Sequence, residues 1–268
     1  MAQLSVSETT TFRWPFEEDV AQYAAAGIPA IGVWRHKLSD CGLPKALDLL
    51  GRSGLNVSHL FWAGGFTGSD GRSFRESVVD AAEAVRTAAE LNCRTLVLYS
   101  GPRAGHTHSH ARRLFQTALI ELAPLAVESD VTLAVEPMHP GCAAEWSFLT
   151  SLDETLGLLE KVAAPVKLVW DTYHLGQDRG LLDRIAEIVP QIAMVQLGDA
   201  RRPPDGEQNR CRLGEGVVPL GEIVAALKAG GYDGYYDVEL LGEELEVTDY
   251  PSLLRHAKEA FGRLVESQ

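Results

Sequence analysis

Short apolar runs rich in β-branched residues alternate along this chain with longer segments whose apolar positions recur at helical spacing. The first run, Leu4–Thr11, is largely Ser and Thr. The later runs are plainly apolar: Ile28–Trp34, Val57–Ala63, Thr95–Gly101, Thr132–Met138, Val166–His174, Ile192–Asp199 and Tyr235–Gly242. The helical segments between and after them are FEEDVAQYAAAG, LPKALDLLGRSG, FRESVVDAAEAVRTAAELN, ARRLFQTALIELAPLAVESD, LDETLGLLEKVA, LLDRIAEIVP, LGEIVAALKAGG and PSLLRHAKEAFGRLVE. Several close at a glycine, as at Gly27, Gly54 and Gly230, where a left-handed cap is easily adopted.

Apolar strands each followed by a helix imply a parallel sheet covered on its outer face. An uninterrupted series of such units predicts an α/β fold, a single (β/α)₈ TIM barrel over residues 1–268. No GxGxxG follows any strand, so a dinucleotide-binding sheet is not indicated. No linker, low-complexity stretch or repeat divides the chain. The one long polar connection, Arg201–Val217, follows strand seven on the face where barrel active sites lie.

Charge and composition narrow the partners. A net charge of −13 argues against nucleic-acid binding, which needs clustered Lys and Arg. No apolar run approaches the roughly 20 residues that span a bilayer, and the opening MAQLSVSETTTFRW lacks a basic-then-apolar leader. The four cysteines, Cys41, Cys93, Cys142 and Cys211, form no CxxC pair, which fits free thiols in a reducing cytosol. The expectation is a cytoplasmic protein acting on a small molecule, with a homo-oligomer or a partner subunit possible.

Four polar residues interrupt successive apolar runs near their ends: Glu136 in LAVE, Asp171 in LVWD, Gln196 in AMVQ and Glu239 in DVE. A carboxylate there is costly unless paired or metal-bound. Three converging on one pore mouth repel each other, and a divalent cation resolves that repulsion. Oxygen donors favour Mn²⁺ or Mg²⁺. Any single one of these residues could instead be hydrogen-bonded to backbone or paired with a basic side chain.

The segments VEPMHP (Val135–Pro140), VWDTYHLG (Val169–Gly176), VQLGD (Val195–Asp199) and RLGEGVVPLGEIVAALKAGGYDGYYDVE (Arg212–Glu239) resemble the xylose isomerase-like TIM barrels, which include sugar and sugar-phosphate isomerases and epimerases. The resemblance implies metal ligands at Glu136, Asp171, Gln196 and Glu239. Gln196 stands where many relatives have His, so the set becomes all-oxygen; Co²⁺ and Zn²⁺ remain admissible beside Mn²⁺. It also implies that His174, in the D-x-x-H arrangement, and Arg202, six residues after Gln196, bind substrate. The chemistry implied is proton transfer beside a carbonyl through an enediolate, with Glu136 and Glu239 as proton carriers on opposite sides. The main rival is a lyase that eliminates a β-substituent from a 3-keto sugar, as in C-glycoside deglycosidases and dehydratases of this barrel. Related metal-dependent endonucleases and a non-catalytic sugar-binding barrel are lesser rivals.

Other residues are open on the sequence alone. His139, three after Glu136, suits a base or a hydroxyl binder, or an idle loop histidine. His106, His108 and His110 in HTHSH read as a His-rich loop that could line the pocket or bind metal. Trp14, Trp34, Trp62 and Trp146 fall near strand ends, where aromatic faces stack on sugars or simply fill core. Trp14, Trp62 and His106 are taken as substrate-binding candidates. Lys37 either reaches the mouth or is solvated. Arg201, Arg210 and Arg212 sit with Arg202 in a connection suited to an anionic group.

Overall fold

Eight parallel strands close into a barrel in chain order: β1 (Gln3–Ser7), β2 (Ala30–Trp34), β3 (Asn56–Gly64), β4 (Thr95–Tyr99), β5 (Thr132–Val135), β6 (Val166–Asp171), β7 (Ile192–Leu197) and β8 (Tyr235–Val238), which pairs back to β1. This computed structural model describes residues 2–141, 143–162, 166–205 and 208–266. Every strand lies within one of the apolar runs or overruns it by a single residue at one or both ends. The outward side chains of the strands and the inner faces of the helices form one continuous apolar layer.

The barrel interior has a different character. Phe61, Val97, Ala134, Val169 and Met194 fill part of it. A polar chain is also sealed inside. Ser5 Oγ meets Ser58 Oγ at 2.6 Å, Ser58 meets His59 Nδ1 at 2.9 Å, and His59 Nε2 lies 3.9 Å from Asp237. The His59 ring leans over strand two at a glycine. A Cβ on Gly32 would lie 2.2 Å from the imidazole Cε1, so only glycine leaves the ring its place.

Five details depart from the sequence expectation, the smallest being that Gly230 is a right-handed cap and the left-handed turn falls on Gly231. The first strand stops at Ser7, and the rest of Leu4–Thr11 turns, its hydroxyls bonding back to the barrel. Lys37 is not solvated: on a helix (Arg35–Cys41) it is buried, donating to the carbonyls of Glu8 and Thr11 just past β1 and to Asp19 at 2.6 Å. HTHSH is partly helical, because Thr107 caps the helix His108–Glu128 through the His110 amide. The segment LLDRIAEIVP breaks into two short helices and a 3₁₀ turn at Pro190.

The long connection after β7 is ordered rather than a bare loop. Asp199–Ala200 pairs with Arg210–Cys211 as an antiparallel ribbon. The Asp199 carboxylate then gathers the amides of Ala200, Gly214, Gly216 and Val218 at 2.8–3.2 Å. A Cβ on Gly216 would fall 2.1 Å from Asp199 Oδ1. The VQLGD and GEG segments are therefore two halves of one device, an aspartate cradled by amides, that returns the chain across the mouth. Gly206 and Glu207 of this connection, Ala163 of the LDETLGLLEKVA segment, and Cys142 lie outside the described residues. Cys41, Cys93 and Cys211 are free thiols. Among the described residues no helix is long and apolar enough to cross a membrane.

Candidate metal centre and active site

Strand register delivers four polar side chains to the C-terminal mouth, the face where barrels of this kind carry their chemistry. Asp171 ends β6 opposite Gln196 of β7, and Glu239 follows β8 with its amide bonded to Leu197. Glu136 follows β5, its amide bonded to Leu98. All four are buried. Gln196 Nε2 donates to Glu239 Oε2 at 3.2 Å, which turns its carbonyl Oε1 away with no partner. Glu136 Oε2 is likewise buried and unpartnered. Glu136, Asp171 and His174 each offer one ligand atom, and those atoms lie within 4.8 Å of one another.

One cation already serves the cluster. Arg210, carried on the ribbon, donates to Asp171 Oδ2 at 2.8 Å and to Glu239 Oε2 at 3.1 Å. Its guanidinium carbon stands 4.2 Å from the centroid of the Tyr173 ring. A Cβ on Gly198 would lie 2.2 Å from Nη1, so the glycine of VQLGD makes the seat for this side chain. Thr9, in the turn after β1, donates to Glu239 Oε1 at 3.2 Å.

Two histidines form a second layer. The His139 amide donates to Nδ1 of His174 at 3.2 Å, so a neutral His174 carries its proton on Nε2. That N–H faces Glu136 and Asp171, each 3.7 Å away. The His139 ring accepts from the Gly141 amide at Nδ1 and presents Nε2–H in the same way.

A model of the family described as xylose isomerase-like TIM barrel matches residues 20–262. The chain belongs to that family. The curated D-psicose 3-epimerase of Enterocloster bolteae is 29% identical over 118 residues, 43% of this chain and 36% of that enzyme, so the match spans about a third of the relative's length. Among solved structures, protein SMc04130 of Sinorhizobium meliloti 1021 is 27% identical with a TM-score of 0.90, covering 97% of this chain and 98% of that one. The IolI protein, solved with a binding zinc atom, is 18% identical with a TM-score of 0.86 over 99% and 98% of the two chains, a likeness of fold.

In this xylose isomerase-like barrel the carboxylates differ in basicity. Burial pushes Glu136 well above the usual carboxylate range, and the charges of Glu239 and Asp171 push it further. Burial also raises Glu239, against the opposing pull of Arg210. Burial alone would raise Asp171, but Arg210, His174 and the Tyr173 amide together hold it below its ordinary value. Burial lowers His174 to about 4 and also lowers His139.

The remaining candidates divide. Trp62 comes close enough to favour ionised Glu136, though its indole N–H lacks a bonded partner; it packs on Trp146 at 5.7 Å. Trp14 packs edge-on against Tyr250, and Trp34 packs at a tilt on Phe12. His106 bonds the Thr67 carbonyl at 3.1 Å and His108 pairs with Glu154 at 3.0 Å, while His110 approaches Arg113 at 3.1 Å. His106 and His110 also lie against each other, ring centroids 4.8 Å apart, while His108 turns to Glu154, so the three do not converge on one point. Arg202 is about half exposed (52%) and pairs with Asp205 at the rim. The arginine that reaches the carboxylates is Arg210.

Sequence reading placed Arg210 only among the loop's basic residues, and missed Thr9. The available signal was charge balance: three strand-end carboxylates require a cation, and the arginines after strand seven are the nearest in the fold. Thr9 carries no such signal, because its partner Glu239 is 230 residues away.

Proposed function

We propose that this protein is a divalent-metal-dependent sugar isomerase or epimerase, moving a proton beside the carbonyl of a ketose or ketose phosphate. The observation that carries the reading is the uncompensated oxygen cluster at the mouth. Glu136, Asp171 and Glu239 bring three negative charges against the single guanidinium of Arg210, and Gln196 Oε1 and Glu136 Oε2 are buried with no partner. Buried polar atoms of this kind are costly unless another group meets them. A divalent ion fits both the charge and the donors, and the all-oxygen set favours Mn²⁺ over softer metals.

Glu136, Asp171, Gln196 and Glu239 would hold the ion. When bound, it would supply positive charge against the negative charge that develops on the substrate's carbonyl oxygen. Glu136 and Glu239 follow strands three apart in the barrel, so they face a substrate from different sides. Glu239 already accepts from Thr9, Gln196 and Arg210. Glu136 has a free oxygen and a raised pKa, which makes it the better proton acceptor. His174 offers Nε2–H to a substrate oxygen. His139 offers only an N–H in its neutral form, so it serves as a donor and leaves the base role to Glu136. Return of the proton to the same carbon's opposite face gives epimerisation, and to the neighbouring carbon isomerisation. The test is a screen of ketoses and their phosphates with added Mn²⁺, read by uptake of solvent deuterium.

One observation favours the lyase as a second reading. A cavity of about 450 Å³ opens beside His139 and His174, bounded by Leu152, Leu181 and Pro203. A leaving group directed past His139 and His174 would enter it. Release of an aglycone from a 3-keto glycoside would support it; deuterium uptake without elimination would leave the isomerase reading standing.

A further inference from the structure

The strand-end carboxylates have a resident partner that belongs to the chain itself. Arg210 is fully enclosed, with its side chain only 3% exposed, and its Nη2 is shared between Asp171 Oδ2 at 2.8 Å and Glu239 Oε2 at 3.1 Å. Three features of the sequence make its seat. Gly198 omits a side chain that would lie 2.2 Å from Nη1, Tyr173 lies under the guanidinium at 4.2 Å, and the Asp199 cradle fixes the ribbon that carries Arg210. This is not an incidental surface contact. The two carboxylates it pairs with are two of the four residues assigned to the metal.

We propose that Arg210 and the divalent ion divide these carboxylates between them, so that Arg210 weakens metal binding and keeps the metal-free site intact. The proposal rests on the metal reading above. A guanidinium bonded to Asp171 and Glu239 lowers the negative potential available to a second cation and occupies lone pairs that would otherwise ligate it. It also gives both carboxylates a partner in the absence of metal. Without it three buried carboxylates would face one another with only neutral donors from Thr9, Gln196 and the Tyr173 amide and no cation between them, which is strongly destabilising. Such a site stays organised while empty and binds its ion exchangeably, rather than depending on metal to fold. Glu136 and Gln196, which Arg210 does not reach, keep the free oxygens and would meet the incoming ion first.

The sign of this effect separates it from an ordinary supporting role. An arginine that merely braced the ligands would strengthen metal binding, and its loss would weaken it. Wild-type protein, Arg210→Met and Arg210→Lys are stripped by chelation and titrated with Mn²⁺ by calorimetry. Melting temperatures are recorded with and without Mn²⁺. The expected result is at least a tenfold tighter Mn²⁺ affinity in Arg210→Met, a lower melting point for its stripped form, and a larger rise on adding Mn²⁺ than wild type shows. Arg210→Lys, which keeps the charge but not the forked geometry, should fall between the two. It decides the matter if the Met variant does not fold. Equal or weaker Mn²⁺ affinity in the variants, with wild type binding normally, overturns the proposal and leaves the metal reading intact. Absence of Mn²⁺ binding in all three overturns both.

Discussion

The backbone amide of His139 donates to Nδ1 of His174 at 3.2 Å, and this bond decides which nitrogen of His174 faces Glu136 and Asp171. The nitrogen that faces them carries the proton, so we propose that His174 donates to substrate rather than joining Glu136 and Asp171 as a metal ligand. His174→Ala should therefore lower turnover on the order of 100-fold, the scale for losing one oriented donor, with metal content unchanged. Elemental analysis beside kcat checks this. Loss of the metal in parallel with activity would make His174 a ligand instead.

Gln196 stands where the family resemblance implies a histidine ligand. Gln196→His would replace the free carbonyl oxygen by a nitrogen and remove the bond to Glu239. Nitrogen donors move preference toward Zn²⁺ and Co²⁺. The ratio of Zn²⁺ to Mn²⁺ affinity, measured by competition, should rise about tenfold or more. An unchanged ratio would remove Gln196 from the ligand set.

His59, sealed inside the barrel, gives the fold an acid limit. Burial lowers it to about 3, so it is neutral in the folded protein while an unfolded chain would protonate it near its ordinary value of 6.5. The unfolded state therefore binds more protons between those values, and stability rises with pH across that window. The contribution is fully present above about 6.5 and is lost as pH falls toward 3. Denaturant midpoints measured from pH 7 down to pH 4 should fall, and fall less steeply in His59→Gln. Identical slopes would assign the acid sensitivity to other groups.

Arg202 stands at the rim, paired with Asp205 and about half exposed. Exposed pairs of this kind add little stability. Arg202→Ala should leave the melting temperature in place while raising KM several-fold, as expected for a residue that captures substrate from the rim. An unchanged KM would end its role in substrate binding.

How much of this was legible follows from the physics of each residue. The barrel was readable because continuous apolar strands alternating with amphipathic helices admit few architectures. Glu136, Asp171, Gln196 and Glu239 were readable because a polar residue is conspicuous within an apolar strand. Arg210 was not, since polar connections are full of arginines and only the ribbon selects which one enters. The burial of Lys37 was not legible because its partner Asp19 lies on another helix, out of reach of any local pattern. The histidine tautomers depend on the backbone amides of His139 and Gly141, which no side-chain sequence displays.

The central claim is that Glu136 moves a proton on a ketose at a metal-loaded mouth. Solvent exchange tests it most directly: Mn²⁺-loaded wild type, its chelated form and Glu136→Gln are incubated with ketose in D₂O, and deuterium beside the carbonyl is followed by NMR. The account predicts uptake of one deuterium by the loaded wild type, loss of uptake on chelation with recovery on adding Mn²⁺, and little or none in Glu136→Gln. Uptake that survives chelation, or full uptake by a metal-replete Glu136→Gln, would contradict it.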